Sequence, residues 1–226
     1  MSPYFDKKTV LQKMYQLYDQ QSKNWPIACQ CCCSHCCTDR IWMTTIEGSL
    51  IIDYIQKQNL QDILNQTQQI VPGRRYHPKT TINQEAFLSI QDAPIPFPDE
   101  FPFQECYFLR DNQCTIYPVR PMSCRTMISS VKCQKTGHAD MTSIQISMAT
   151  LFFQYIELLD QGGYYGNYLN IIEMLTSSPE IQPIQHALAK NDLLENTKIH
   201  FVMIPPQDRN ALIPTMKAIQ QCFLNA

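Results

Sequence analysis

Cys29-Gln30-Cys31-Cys32-Cys33-Ser34-His35-Cys36-Cys37 places six of the chain's eleven cysteines within nine residues. A hydrophobic core uses cysteine one residue at a time, as a small apolar side chain. Neighbouring cysteines also make poor disulfide partners, because a bridge needs Cα atoms about 4.4–6.8 Å apart with matched Cβ directions. Thiolates are the preferred ligands of soft metals and of iron–sulfur clusters, and either explains the crowding better. The run therefore reads as the organising centre of the fold.

A disulfide framework would need an oxidising compartment, and the rest of the chain points elsewhere. The opening residues Met1-Ser-Pro-Tyr-Phe-Asp-Lys-Lys lack the apolar centre of a secretory signal. No apolar run is long enough to span a bilayer, and an odd cysteine total fits closed pairing poorly. The expected location is the cytoplasm, where thiols stay reduced. A hydrophobic fraction of 44% over 226 residues supports a real core. A net charge of −2 without a basic run argues against nucleic-acid binding.

Outward from the cysteines, helical periodicity dominates. Val10, Leu11, Met14, Leu17 and Tyr18 share one face of a helix expected over 6–24, stopped by Trp25-Pro26. Thr44-Thr45-Ile46-Glu47 has the form of a capping box, opening a helix from Ile46 to Lys57. Another is expected from Leu60 to Ile70. Prolines 72, 78, 94, 96, 98 and 102 then impose a long irregular segment with one short helical turn near Gln84–Leu88. Within it, Arg74-Arg75-Tyr76-His77 reads as a solvated turn, with anion binding as the alternative.

A second cysteine group follows at Cys106, Cys114, Cys124 and Cys133. Asp111-Asn112 is good turn chemistry, so Cys106 and Cys114 should flank a small hairpin. Pro121 should start a helical turn carrying Cys124. Arg120 and Arg125 bracket that cysteine, and cationic neighbours favour thiolates. Tyr117, Arg120 and Arg125 are the polar groups nearest the site in sequence. They read either as a cofactor-binding set for a carboxylate or phosphate, or as partners of acids and sulfurs.

The pattern C-x-F-L-x4-C-x-I-Y-x2-R-P-x2-C-R, with the C-x2-C-C at Cys33–Cys37, resembles the YkgJ-type cysteine-cluster family, described as a zinc- or iron-chelating domain. The resemblance runs from about Cys29 to Cys133. It implies metal ligation by Cys33, Cys36, Cys37, Cys106, Cys114, Cys124 and Cys133. The first family position falls on Gln30, so Cys29 is the candidate there, with Cys31 and Cys32 as alternatives. One branch of the family resembles an iron–sulfur-dependent lysine methylase.

Spacing bears on the metal. Structural zinc uses paired knuckles, whereas this chain has one C-x2-C pair and four wide intervals, closer to iron–sulfur patterns. An iron–sulfur cluster is favoured, with zinc as the alternative. A metal-binding protein, a metal-dependent enzyme and a metal store remain the three functional classes, with the metal as the only partner read from the sequence. Beyond 137 the chain reads as helical: 141–160, Tyr165–Leu175, a start at Ser178-Pro179, a short strand over Lys198–Ile204, and Asn210–Leu224 delayed by Pro214. Cys222 reads as a core residue. The expected architecture is a mainly α single domain, 1–226, with long irregular loops around a cysteine metal site. It has a metal-binding core over 25–137 and a helical part over 138–226.

Overall fold

The computed structural model describes residues 6–30, 32–68, 75–98, 103–177 and 192–224. Helices dominate. The first, α1 (Lys7–Ser22), is capped by the Asp6 carboxylate, which accepts from Lys8 N–H. Its buried stripe is Val10, Leu11, Met14, Tyr15 and Tyr18. β1 (Trp42–Thr44) leads directly into α2 (Thr45–Lys57), where the Thr44/Glu47 capping box forms as expected. α3 spans Gln61–Gln68.

The proline-rich stretch carries more helix than expected. α4 runs for nine residues, Ile82–Ile90, because Thr81 and Gln84 form a second capping box. The solvated-turn reading also fails at Arg75. This side chain is buried, and its Nη1 donates to Asn170 Oδ1 at 2.7 Å and Glu173 Oε2 at 2.6 Å. Arg74 lies outside the described residues.

β2 (Leu109–Arg110) and β3 (Gln113–Cys114) form the expected hairpin. Asp111 and Asn112 both take positive φ, 49° and 59°, as a tight two-residue turn requires. Two short helices follow, α5 (Met122–Arg125) and α6 (Cys133–Thr136). The long α7 (Ser143–Leu159) ends at Gly162, whose φ of 88° suits glycine.

Three further elements differ from the sequence reading. Tyr164–Asn167 is β4 and not the start of a helix; it pairs antiparallel with β1 and with β5 (Leu194–Glu195). α8 therefore begins at Tyr168, and the Asn167 side chain caps it by accepting from Leu169 N–H. Lys198–Ile204 forms no strand. The Gln154 amide holds this segment, donating to Phe201 O and accepting from Met203 N–H, both at 2.8 Å. Pro214 does not delay the last helix, since α9 spans Arg209–Leu224 with the proline inside. The helix start expected at Ser178 lies outside the described residues.

The apolar residues fall into two cores. One joins α1, α7 and α9 through Leu11, Met14, Phe152, Ile156, Leu212 and Ile219. The other joins α2, α3, α8 and the hairpin through Ile51, Ile55, Leu64, Ile171, Phe108 and Ile116. α2 belongs to both, with Ile46 and Leu50 in the first and Ile51 and Ile55 in the second. Gly48 lets α2 approach α8, since a Cβ there would collide with Ile171 and Leu175. Among the described residues, no helix is long and apolar enough to cross a membrane.

Candidate metal centre

The first cysteine group occupies the irregular segment between α1 and β1. Tight turns shape it: Cys33 N–H donates to Gln30 O, and Cys37 N–H to Ser34 O. The second group meets it through the backbone. Cys106 N–H donates to Cys37 O at 3.0 Å, and Thr38 and Glu105 form an antiparallel bridge. Asp39 continues this pairing, with its N–H on Gln104 O and its carboxylate accepting from Gln104 N–H, both at 2.9 Å. Ser34 also donates to the hairpin turn at Asn112. Segments some seventy residues apart are thus joined beside the thiols.

The result is one cavity of about 440 Å³. Cys29, Cys32, Cys33, Cys36 and Cys37 line it from the first group, and Cys106, Cys114 and Cys124 from the second. Seven of the eight sequence candidates therefore share a wall. Cys133, at the start of α6, stands outside this lining but lies within electrostatic reach of Cys29. Of the candidates for the first ligand position, Cys29 and Cys32 both line the cavity, while Cys31 lies outside the described residues. Cys222 is remote, on α9, with its thiol on Ala218 O. Among the described residues, no three Cys, His, Asp or Glu groups form a preassembled metal-holding set.

Burial and mutual proximity push these thiols up. The Cys37 thiol beside it, then desolvation, raises Cys36 far above 9.0. Desolvation raises Cys124 well above that value, reinforced by Cys106, Cys114 and Cys36. Cys106 is pushed up to about 11, mainly by desolvation. Desolvation also raises Cys114 and Cys29. Against burial, the Phe108 amide and the Tyr168 hydroxyl favour the Cys106 thiolate, the Ile116 amide that of Cys114 and the Ser129 backbone that of Cys29. Arg120 adds positive potential at Cys114 and Cys124.

Three supporting residues carry the site. Glu47 is 3% exposed. Its Oε1 accepts from Tyr15 O–H and Met122 N–H, both at 2.8 Å, and its Oε2 accepts from Thr44 N–H at 2.9 Å. One carboxylate thereby ties α1, α2 and the helix bearing Cys124. Sequence reading gave Glu47 only its local cap. Tyr168 also went unread: its hydroxyl accepts from Tyr107 N–H, and it lines the cavity with Cys106.

Arg125 is the third, and it is not an open ligand-binding group. It is 5% exposed, with Nη1 on Asp19 at 2.6 Å, Nη2 on Pro118 O and Nε on Arg120 O. Its guanidinium also stacks over Tyr15. This is the acid-pairing alternative. Tyr117 is exposed, and Arg120 lies 3.8 Å over its ring. Arg120 itself lines the cavity.

The donor types suit a soft metal, with eight thiols from the two groups lining one cavity. A bound cation would deprotonate them outright. Compared with protein-family models, curated proteins and solved structures, the chain has no match.

Proposed function

We propose that this chain is a cysteine-ligated metal-binding protein of the cytoplasm, holding an iron–sulfur cluster, with zinc as the alternative. Its ligands are drawn from Cys29, Cys33, Cys36, Cys37, Cys106, Cys114, Cys124 and Cys133. The resemblance to the cysteine-cluster family supports the reading. The observation that carries it is the single cavity in which thiols from both groups meet. Iron–sulfur chemistry is preferred on spacing, because structural zinc uses paired knuckles whereas Cys106, Cys114, Cys124 and Cys133 are widely spaced. Amides and hydroxyls directed at sulfur are also a standard means of tuning cluster potential. When bound, the centre would supply cross-linking of the two segments and, as a cluster, electron transfer.

Anaerobic purification followed by iron, acid-labile sulfide and zinc analysis tests this. Iron and sulfide in near-equal amounts are expected, with a thiolate-to-metal charge-transfer absorbance. Zinc alone would select the alternative, and metal-free protein that gains neither on reconstitution would overturn the proposal.

A further inference from the structure

Residues other than the thiols also line the cavity: Tyr18, Asp19 and Ser22 from the last turn of α1, and Ile27, Arg120, Met127 and Ile128, with the Asp19 carboxylate paired to Arg125. Two polar groups among them are not satisfied by the protein. Arg120 gives one N–H, from Nη1, to Tyr117 O at 2.9 Å. Its Nε and Nη2 have no acceptor among the described residues. Those two nitrogens form one edge of the guanidinium, the edge whose parallel N–H bonds match a carboxylate. The Tyr18 hydroxyl is the other. It is fully buried without a hydrogen-bond partner and lies within electrostatic reach of Arg120. A buried orphan of this kind calls for a specific explanation.

The neighbouring arginine sharpens the contrast. Arg125 spends Nε, Nη1 and Nη2 on Arg120 O, Asp19 and Pro118 O. In doing so it fixes the backbone that presents Arg120. One arginine is consumed in building the wall, and the other offers an unused fork. Most of the cavity's lining area is apolar, and a volume of about 440 Å³ lies within the range of small-molecule sites.

From this juxtaposition we infer that the cavity binds a small organic carboxylate, its charged end on the Nε/Nη2 edge of Arg120 and its apolar body against Ile27, Met127 and Ile128, beside the thiol wall. The site's position next to a metal rests on the function proposed above; the anion anchor does not. Tyr18 is the second donor to the carboxylate.

Calorimetry on the full chain, purified anaerobically with its metal content measured, tests the inference with phenylacetate as probe. Phenylacetamide serves as the neutral isostere and inorganic phosphate as the bare anion. Saturable phenylacetate binding is expected, weakened about tenfold or more in Arg120→Gln and in the amide, as loss of a charge-assisted pair implies. Tyr18→Phe should weaken it less. Metal content should be unchanged in Arg120→Gln, and Cys124→Ser should lose metal, so failure of the carboxylate site and failure of the metal site read out separately. No saturable binding, equal binding of acid and amide, phosphate binding as tight as phenylacetate, or full affinity in Arg120→Gln would each overturn it.

Discussion

The core between α1, α7 and α9 and the cysteine cavity differ in what holds them closed. In the first, Leu11, Met14, Leu151 and Ile219 are fully buried, and Tyr18 meets Phe152 edge-on with ring centroids 5.3 Å apart. Ordinary dispersion and burial suffice there. The cavity is lined in part by thiols, and the closest contacts among them raise one another's pKa. Packing closes the first region. The second is pinned at its rim by backbone hydrogen bonds and by Glu47, and under the proposed function a cation would hold its centre. The two regions should therefore respond to metal in different ways.

Metal removal is the largest expected effect. Bringing thiolates together without a cation is unfavourable, so binding free energy becomes folding free energy. Chelation, Cys36→Ser or Cys124→Ser should empty the site and lower the Tm by about 10 °C or more. An unchanged melting curve in metal-free protein would erase the contrast. Acid should separate the regions further. Burial raises Glu47, Glu157 and Asp160 above their ordinary values. Folded, they hold protons at a pH where the unfolded chain has released them. Their contribution is thus fully present below the ordinary 4.5 of a glutamate and is lost as pH rises through the raised folded values. Metal ligation runs the opposite way, because protons compete for sulfur. From pH 7 to 5 the Tm of metal-free protein should rise or hold while that of loaded protein falls. Parallel falls in both would contradict the assignment.

Glu47→Gln attacks the seam between the regions. Its two oxygens accept from Thr44, Tyr15 and Met122, and an amide nitrogen must face one of those donors. The expected cost is about 2–3 kcal/mol. Because Met122 opens the helix bearing Cys124, metal retention should suffer as well. A Tm loss at full metal affinity would confine Glu47 to capping.

This residue also marks where the sequence ceases to be legible. The Thr44–Glu47 cap, the α1 stripe and the Asp111-Asn112 turn are local, and local patterns announce them. The reach of Glu47 to Met122, 75 residues on, has no local signature. Neither has β4, whose strand character comes from pairing with Trp42–Thr44. At the site, residue type and the resemblance pointed to both cysteine groups, and the fold brings thiols of both to one cavity. The roles of Arg120 and Arg125 were not separable, since only the fold shows which guanidinium finds Asp19. Tyr168 was invisible because it sits 62 residues beyond Cys106 in an apolar helix.

Tyr168→Phe probes the site without removing a ligand. It deletes the hydroxyl that accepts from Tyr107 N–H and favours the Cys106 thiolate, at a cost of about 1–2 kcal/mol. Metal should be retained. If the centre is a cluster, losing a hydroxyl dipole that favours the thiolate should make its reduction potential more negative. Titrations superimposable on the wild type would show that the hydroxyl serves packing alone.

Cys222→Ser should have the smallest effect, and it tests whether the division between regions is complete. This cysteine belongs with the first core, beside Phe223 and the Tyr155 ring face. Burial raises its thiol, so it remains protonated and inert at neutral pH. Serine is nearly isosteric and can keep the contact to Ala218 O that the thiol makes within α9. The change therefore removes only a partly buried sulfur's transfer free energy, about 1 kcal/mol or less. Metal content per chain should match the wild type, because no residue of α9 lines the cavity. A drop in metal content there, at unchanged Tm, would mean that the eleventh cysteine belongs to the centre after all and that the two regions are one.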